Sequence, residues 1–202
     1  MKKAIDLLFN TLLILSLTLI LAVIPTDRDA EIYGDTLRLH ILANSDSTAD
    51  QRLKYEIRDR LLAKYGERLK ESESIEDAKA EAQGLKCEIE KDVNAWILEL
   101  GESYHSAVEI GVEWYDTREY KDFTLPRGYY TSLRVMLGNA EGQNWWCVMY
   151  PPMCLDVATE EAPMDDAVIG YTKEELSLIT EDGYNVKFKL LELLSDAFSK
   201  NS

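Results

Sequence analysis

The residues of this chain that could do chemistry are few, and Cys147 and Cys154 are the most closely spaced pair. They lie seven positions apart with a Pro-Pro pair between them. In an oxidising compartment, a disulfide between them would close a short loop and remove roughly 2–3 kcal/mol of unfolded-chain entropy. Two buried thiols are the alternative. Cys147 could also be a thiolate with His40 as its base, although a disulfide would consume that thiol. We expect Cys87, in a helical stretch, to be a buried free thiol.

Other catalytic and metal-binding patterns are missing from the sequence. The two histidines, His40 and His105, are not spaced as zinc ligands, and there is no Cys-x-x-Cys pair, phosphate loop or nucleophile elbow. The polar run from Asn44 to Ser47 offers oxygen ligands, but it lacks the spacing of a calcium loop and is better explained by helix capping. We therefore predict no catalytic residue, metal, cofactor or small-molecule substrate, and we expect that the protein is not an enzyme.

The balance of charge restricts the possible partners. The chain has 202 residues, with 22 Lys and Arg against 37 Asp and Glu, which gives a net charge of −15. A surface this acidic repels nucleic-acid phosphates and anionic lipid headgroups, so we expect no nucleic-acid partner. Apolar residues make up 46% of the chain, enough for the hydrophobic core of one ordinary domain.

The N-terminus has the pattern of an export segment. Lys2 and Lys3 precede Leu7–Ile24, an uncharged stretch of 18 residues. As a helix it would be about 27 Å long, slightly less than a hydrocarbon core of about 30 Å. The charge on either side predicts that the C-terminal side is outside the cytoplasm. We predict that residues 1–30 are either an uncleaved membrane anchor or a cleaved signal peptide, and that 31–202 form a single exported domain.

The first half of that domain alternates a strand with two helices. Residues 36–43 alternate apolar and polar side chains and predict a strand. A helix from about 49 to 69 buries a stripe that recurs every four residues, and a second helix runs from 75 to about 100. We expect the two helices to form a hairpin or to cover one face of a sheet.

The second half changes to the period of β-structure. Strands are predicted at 107–115, 118–125, 129–138 and 144–150, spaced as in an antiparallel meander. Residues 156–183 are acidic and predict a surface loop with a short helix at 172–178, and 185–191 predict another strand before a closing helix. The predicted fold is α+β, with two long helices packed on a largely antiparallel sheet.

Two stretches of this sequence have a distinctive pattern. The first, residues 38–62, reads RLHILANSDSTADQRLKYEIRDRLL, and the second, residues 125–154, reads LPRGYYTSLRVMLGNAEGQNWWCVMYPPMC. They resemble the opening and central signatures of the stage II sporulation protein R family. The ending VKFKLLEL is also similar. Within these stretches the NWWC motif followed by Pro-Pro-x-Cys is specific. Arg127, Tyr150 and Leu155 depart from the expected residues, but the substitutions stay bulky or exposed.

The resemblance implies a role in signalling between cells. Members of the family are made in the forespore of endospore-forming bacteria and exported into the space between the two septal membranes. There they activate a membrane-embedded aspartic protease of the mother cell, which processes the precursor of the sigma-E factor. The resemblance thus implies a protein partner, with the N-terminal segment in the forespore membrane or cleaved. An exported envelope hydrolase and a structural envelope protein remain alternatives, since Trp145 and Trp146 could stack on sugars.

Partner contacts are expected among polar and aromatic residues of the two signature blocks. Trp145 and Trp146 are neighbours in a predicted strand, so they point to opposite faces, and at most one faces the main core. Helix capping, salt bridges or packing could explain each residue equally well. The candidate contact residues are Arg38, Asn44, Asp46, Gln51, Arg58, Asn144, Trp145 and Trp146.

Overall fold

A computed structural model describes residues 2–23, 32–120, 123–153 and 172–180. It has an α+β fold with four helices and a mixed sheet among these residues. The elements are α1 Lys2–Val23, β1 Leu37–Leu42, α2 Thr48–Lys70, α3 Ile75–Glu99, β2 Ser106–Tyr115, β3 Arg118–Glu119, β4 Thr124–Leu125, β5 Gly128–Leu137, β6 Asn144–Tyr150 and α4 Lys173–Thr180. The strand predicted at 185–191 and the closing helix lie outside the described residues.

Helix α2 begins and packs as the sequence predicts. The Ser47 side chain accepts a hydrogen bond of 3.1 Å from the Asp50 backbone N–H and caps the helix. The predicted stripe is buried along its whole length: Leu53, Ile57, Leu61, Tyr65 and Leu69. Helix α3 is capped in the same way, since Ser74 accepts from the Asp77 N–H at 3.1 Å.

The apolar spacing of α3 predicts a buried stripe that ends on Trp96 and Leu100, and the structure differs at both positions, since Leu100 is 38% exposed. Ile97 is fully buried, whereas Trp96 is only partly buried, with the Arg60 guanidinium of α2 5.9 Å from its ring. The prediction that Cys87 is a core thiol is wrong, because its side chain is exposed. Cys87 follows the buried Leu85 by two positions, about 200° around the helix. The stripe itself consists of Ala78, Ala82, Leu85, Ile89, Val93 and Ile97.

The sheet is mixed, which corrects the predicted antiparallel meander. Its strand order is β2-β5-β1-β6, and β1 runs parallel to β5 but antiparallel to β6. Strands β2 and β5 pair directly and are antiparallel, whereas the meander would have placed residues 118–125 between them. In sequence, the α2–α3 hairpin separates β1 from the other strands of the sheet. Because no short turn ties β1 to a neighbouring strand, it can insert between β5 and β6. The predicted strand 118–125 is instead a separate two-stranded ribbon of β3 and β4.

Both faces of the sheet are covered, and this explains why β1 is buried on both sides. One face, which we call the helix face, carries Leu37, Leu39 and Ile41 against α2 and α3. The other, the ribbon face, has a second apolar cluster that includes residues of the β3–β4 ribbon and α4. That cluster contains Ile32, Tyr115, Phe123, Leu125, Tyr130, Val148 and Ile179.

Helix α1 covers most of the predicted export segment, and its described large apolar side chains are exposed. In the part of the chain that the structure describes, no helix is both long and apolar enough to cross a membrane. The predicted division of the chain at residue 30 falls among residues outside the described ranges and stays a prediction.

Candidate functional site

The polar loop after β1 folds around one carboxylate, that of Asp50 in the first turn of α2. Its oxygens accept hydrogen bonds from Asn44 Nδ2 at 3.0 Å, from the Ser45 hydroxyl, and from the Tyr104 hydroxyl at 2.9 Å. Burial raises the pKa of Asp50, but these hydrogen bonds outweigh burial and hold it below its usual range. Asp50 is thus an ionised, nearly buried acceptor at the centre of the loop.

The same loop is bonded to the β5–β6 hairpin, far away in sequence. The Asn139 N–H donates to Asn44 Oδ1 at 2.9 Å, and the Gln143 N–H donates to Asp46 Oδ1 at 2.7 Å. Gly138 has a φ of +57°, and a Cβ there would come within 2.2 Å of Asn44 Oδ1, so only glycine fits. We call residues 44–54 together with 138–143 the polar clasp.

A buried lysine completes the polar clasp. Lys54 is 1% exposed, and its Nζ donates to Gln51 Oε1 at 2.7 Å and to the Gln143 carbonyl at 3.0 Å. Gln51 Nε2 in turn donates to the Ser45 carbonyl at 2.9 Å. Burial lowers the pKa of Lys54, and the charge of Asp46 opposes that effect. The structure therefore commits the side chains of Asn44, Asp46 and Gln51 to internal bonds, and their role in partner contact stays a prediction.

The two tryptophans of β6 point to opposite faces of the sheet, as predicted. Trp145 packs against the helix-face core, with the Arg58 guanidinium 5.3 Å from its ring centre. Trp146 packs on the ribbon face, where its ring stacks on His40 at 5.6 Å and lies 3.7 Å from the Arg118 guanidinium. Both tryptophans are partly buried, and the neighbouring Asn144 is exposed.

Charged side chains on the ribbon face form a network around Glu113. Its carboxylate lies 3.1 Å from His40 Nδ1 and 3.6 Å from an Arg134 nitrogen, and accepts from the Tyr115 hydroxyl at 2.6 Å. Burial raises the pKa of Glu113, but hydrogen bonds from His40 and Tyr115 outweigh this and lower it to about 2. Burial and the Glu113 carboxylate both raise the pKa of Tyr115. Glu113 is therefore ionised across the physiological range.

The Arg38 side chain is on the same ribbon face, and it is buried more deeply than its position in the sequence suggests. It is fully buried, with its guanidinium carbon 3.8 Å from the Tyr115 ring centre and 5.0 Å from that of Tyr130. Its Nη2 donates to the Tyr120 hydroxyl at 2.8 Å. The alternation of side chains along β1 correctly places Arg38 on the face of the sheet opposite to that of Leu39. The local sequence pattern does not predict the burial of Arg38, because the second apolar cluster that covers the ribbon face comes from segments distant in sequence.

The structure does not bring Cys147 close to His40, the residue considered in the sequence analysis as the base for a Cys147 thiolate. Cys147 aligns with Leu39 and belongs to the helix-face core, whereas His40 aligns with Trp146 on the ribbon face. Cys147 is fully buried and disulfide-bonded. Its predicted partner Cys154 lies outside the described residues, so the pairing stays a prediction. Among the residues described, no three acidic, histidine or cysteine side chains are grouped as metal ligands.

This geometry defines an α+β protein in which two distant stretches of chain, 37–54 and 138–150, build one end of a mixed sheet. Both stretches fall inside residues 34–160, which match the family model described as stage II sporulation protein R, and the chain belongs to that family. It is 33% identical to the stage II sporulation protein R of Bacillus subtilis (strain 168) over 224 aligned positions, covering 98% of this chain and 100% of that relative. No solved structure matches the chain. The resemblance found in the two signature blocks is thereby confirmed.

Proposed function

We propose that this protein is an exported signal of sporulation that activates a membrane-embedded aspartic protease, which then processes the sigma-E precursor. Membership of the stage II sporulation protein R family carries this proposal. The buried, bonded Cys147 and the apolar surface of α1 support export. The proposed disulfide joins Cys147 to Cys154.

The surface around Trp145 is the best candidate for contact with the protease. The Arg58 guanidinium lies 5.3 Å from the Trp145 ring and 5.0 Å from the ring of Tyr55, which is 43% exposed. The exposed Asn144 precedes Trp145 on β6. Tryptophan, tyrosine and arginine are the residue types that dominate binding energy at protein interfaces. On this surface the two signature blocks lie side by side.

The experiment reconstitutes the signal in a bacterium that does not sporulate. The protease and the sigma-E precursor are produced together with this chain, and cleavage of the precursor is followed by immunoblot. We expect processing with the full chain, none with a version lacking residues 1–30, and recovery when an unrelated signal peptide replaces them. Processing by a version retained in the cytoplasm would contradict the proposal.

The contact surface is tested in the same assay. We expect Trp145→Ala to reduce processing about tenfold or more, because truncating a central aromatic residue typically costs about 2 kcal/mol of binding free energy. Leu98→Ala is the matched control, since Leu98 is 61% exposed on α3 and should leave processing unchanged. If Trp145→Ala lowers the midpoint of thermal unfolding in proportion to its loss of processing, the residue is only part of the scaffold.

A further inference from the structure

Most of the buried polar atoms that lack a hydrogen-bond partner gather on the ribbon face. Six such side-chain atoms occur among the described residues. Three belong to buried side chains of β1, namely Arg38 Nε, Arg38 Nη1 and His40 Nε2. Two more, Thr117 Oγ1 and Arg118 Nε, lie where the chain passes from β2 into the ribbon. A buried polar atom without a partner costs free energy, so five at one place call for an explanation.

These side chains form a floor and a rim. Arg38 and His40, 0% and 8% exposed, are the floor. The rim consists of Trp146, stacked on His40 at 5.6 Å, and Arg118, 3.7 Å from the Trp146 ring, both partly buried. Gly111, on the same face, is exposed and has open space where a Cβ would stand.

The charges favour an anion. Arg38 makes no ion pair with any described residue, although burying an uncompensated cation is unfavourable. Ordered water could satisfy single N–H groups, but it could not neutralise this charge. The arginine atoms without partners are all donors, and the Thr117 hydroxyl can donate, so the complementary ligand is rich in acceptors. Arg134 pairs with Glu109 and with Glu113, and Glu113 also lies 3.1 Å from His40 Nδ1. A singly charged ligand is repelled less by the Glu113 carboxylate than a phosphate dianion is.

We propose that Arg38, Thr117 and Arg118, beside the His40 ring, form a binding site for a carboxylate. Arg38 supplies the compensating charge from below, and Arg118 closes over the ligand from the rim beside Trp146. Oxyanion pairs with arginine are strong because both partners are charged. The site lies on the opposite face of the sheet from the surface proposed for the protease, and it does not depend on the proposed function.

The experiment uses the ¹⁵N-labelled full chain and follows the indole N–H signals by NMR at constant ionic strength. Sodium acetate and sodium phosphate are the two probes, and Trp146→Phe assigns the signal of interest. We expect the Trp146 signal to shift saturably with acetate, while the Trp145 signal, on the opposite face, does not follow it. Saturation by phosphate alone would overturn the assignment to a carboxylate.

Two arginine variants make the test specific. Arg118→Gln should weaken acetate binding about tenfold or more, since a hydrogen bond to a charged group contributes about 1.5–3 kcal/mol. Arg58→Gln removes the arginine that contacts Trp145 instead and should leave acetate binding unchanged. Both positions are only partly buried, so both variants should fold. Failure of acetate to saturate, or equal affinity for acetate in wild type and Arg118→Gln, would overturn the site.

Discussion

Two buried cations, Lys54 and Arg38, show opposite ways of placing charge inside this domain. Lys54 is 1% exposed and donates to two acceptors of the polar clasp, Gln51 Oε1 and the Gln143 carbonyl. Arg38 is 0% exposed and has a tyrosine hydroxyl and two aromatic faces, while two of its nitrogens lack partners. The first cation ties two segments of chain together, whereas the second is left incomplete by the described fold.

The difference separates polar groups that stabilise the fold from polar groups that can serve recognition. A satisfied buried network contributes to a unique structure, and removing one member is costly. An unsatisfied group costs stability, and a ligand can recover that free energy on binding. The polar clasp and the Arg38 site should therefore respond differently to mutation, and the unfolding free energies of matched variants test this difference.

The largest effect is expected at the centre of the polar clasp. Asp50→Ala removes the common acceptor of Asn44, Ser45 and Tyr104. We expect it to lower the free energy of unfolding by about 3 kcal/mol, because buried donors lose their partner. Urea denaturation measures the change. Asp59→Ala removes an exposed carboxylate of the same helix and should change the free energy by less than about 0.5 kcal/mol. Similar values for the two variants would show that the clasp is not structural.

A matched pair of methionine substitutions tests the comparison itself. Lys54→Met leaves Gln51 Oε1 and the Gln143 carbonyl without their donor and should cost about 2 kcal/mol of unfolding free energy. Arg38→Met removes a buried cation that has no ion pair, so the variant should lie within about 1 kcal/mol of wild type or be more stable. Urea denaturation of both variants under the same conditions measures the two changes in unfolding free energy. If Arg38→Met is as destabilising as Lys54→Met, the two sites are equivalent.

Local signals in the sequence predicted the helices and the faces of strands well. The caps at Ser47 and Ser74 and the stripe of α2 follow from side chains within a few positions of one another. The opposed directions of Trp145 and Trp146 follow from strand geometry alone. These features depend on neighbours in the chain, and the structure confirms them.

Features that depend on distant segments could not be predicted in this way. The insertion of β1 between β5 and β6 is decided by which edges remain available after the α2–α3 hairpin folds, and strand spacing does not report that. Asn44 and Asp46 could be explained locally as capping residues, yet their oxygens bond to the hairpin at Asn139 and Gln143. Arg38 was expected at a contact surface, but the ribbon and α4 bury that face.

The smallest effect is expected in the pH dependence of stability, and it tests the network beside Arg38. The pKa of Glu113 is lowered from 4.5 to about 2. A carboxylate with a lowered pKa stabilises the fold fully above its unfolded value, and this contribution is lost as the pH falls from about 4.5 towards 2. Glu113→Gln should therefore reduce the acid-induced loss of stability in that window, measured by urea denaturation at several pH values.

Tyr115→Phe sharpens this last test because it removes one donor to Glu113 but keeps the aromatic ring beneath Arg38. Its loss of stability should be smaller than in wild type and should end at a higher pH, because the pKa of Glu113 in the folded protein is lowered less. The pKa of Asp50 is also lowered, so only the difference between each variant and wild type is informative. Parallel curves for wild type and Glu113→Gln would mean that the ribbon-face network does not stabilise the ionised carboxylate.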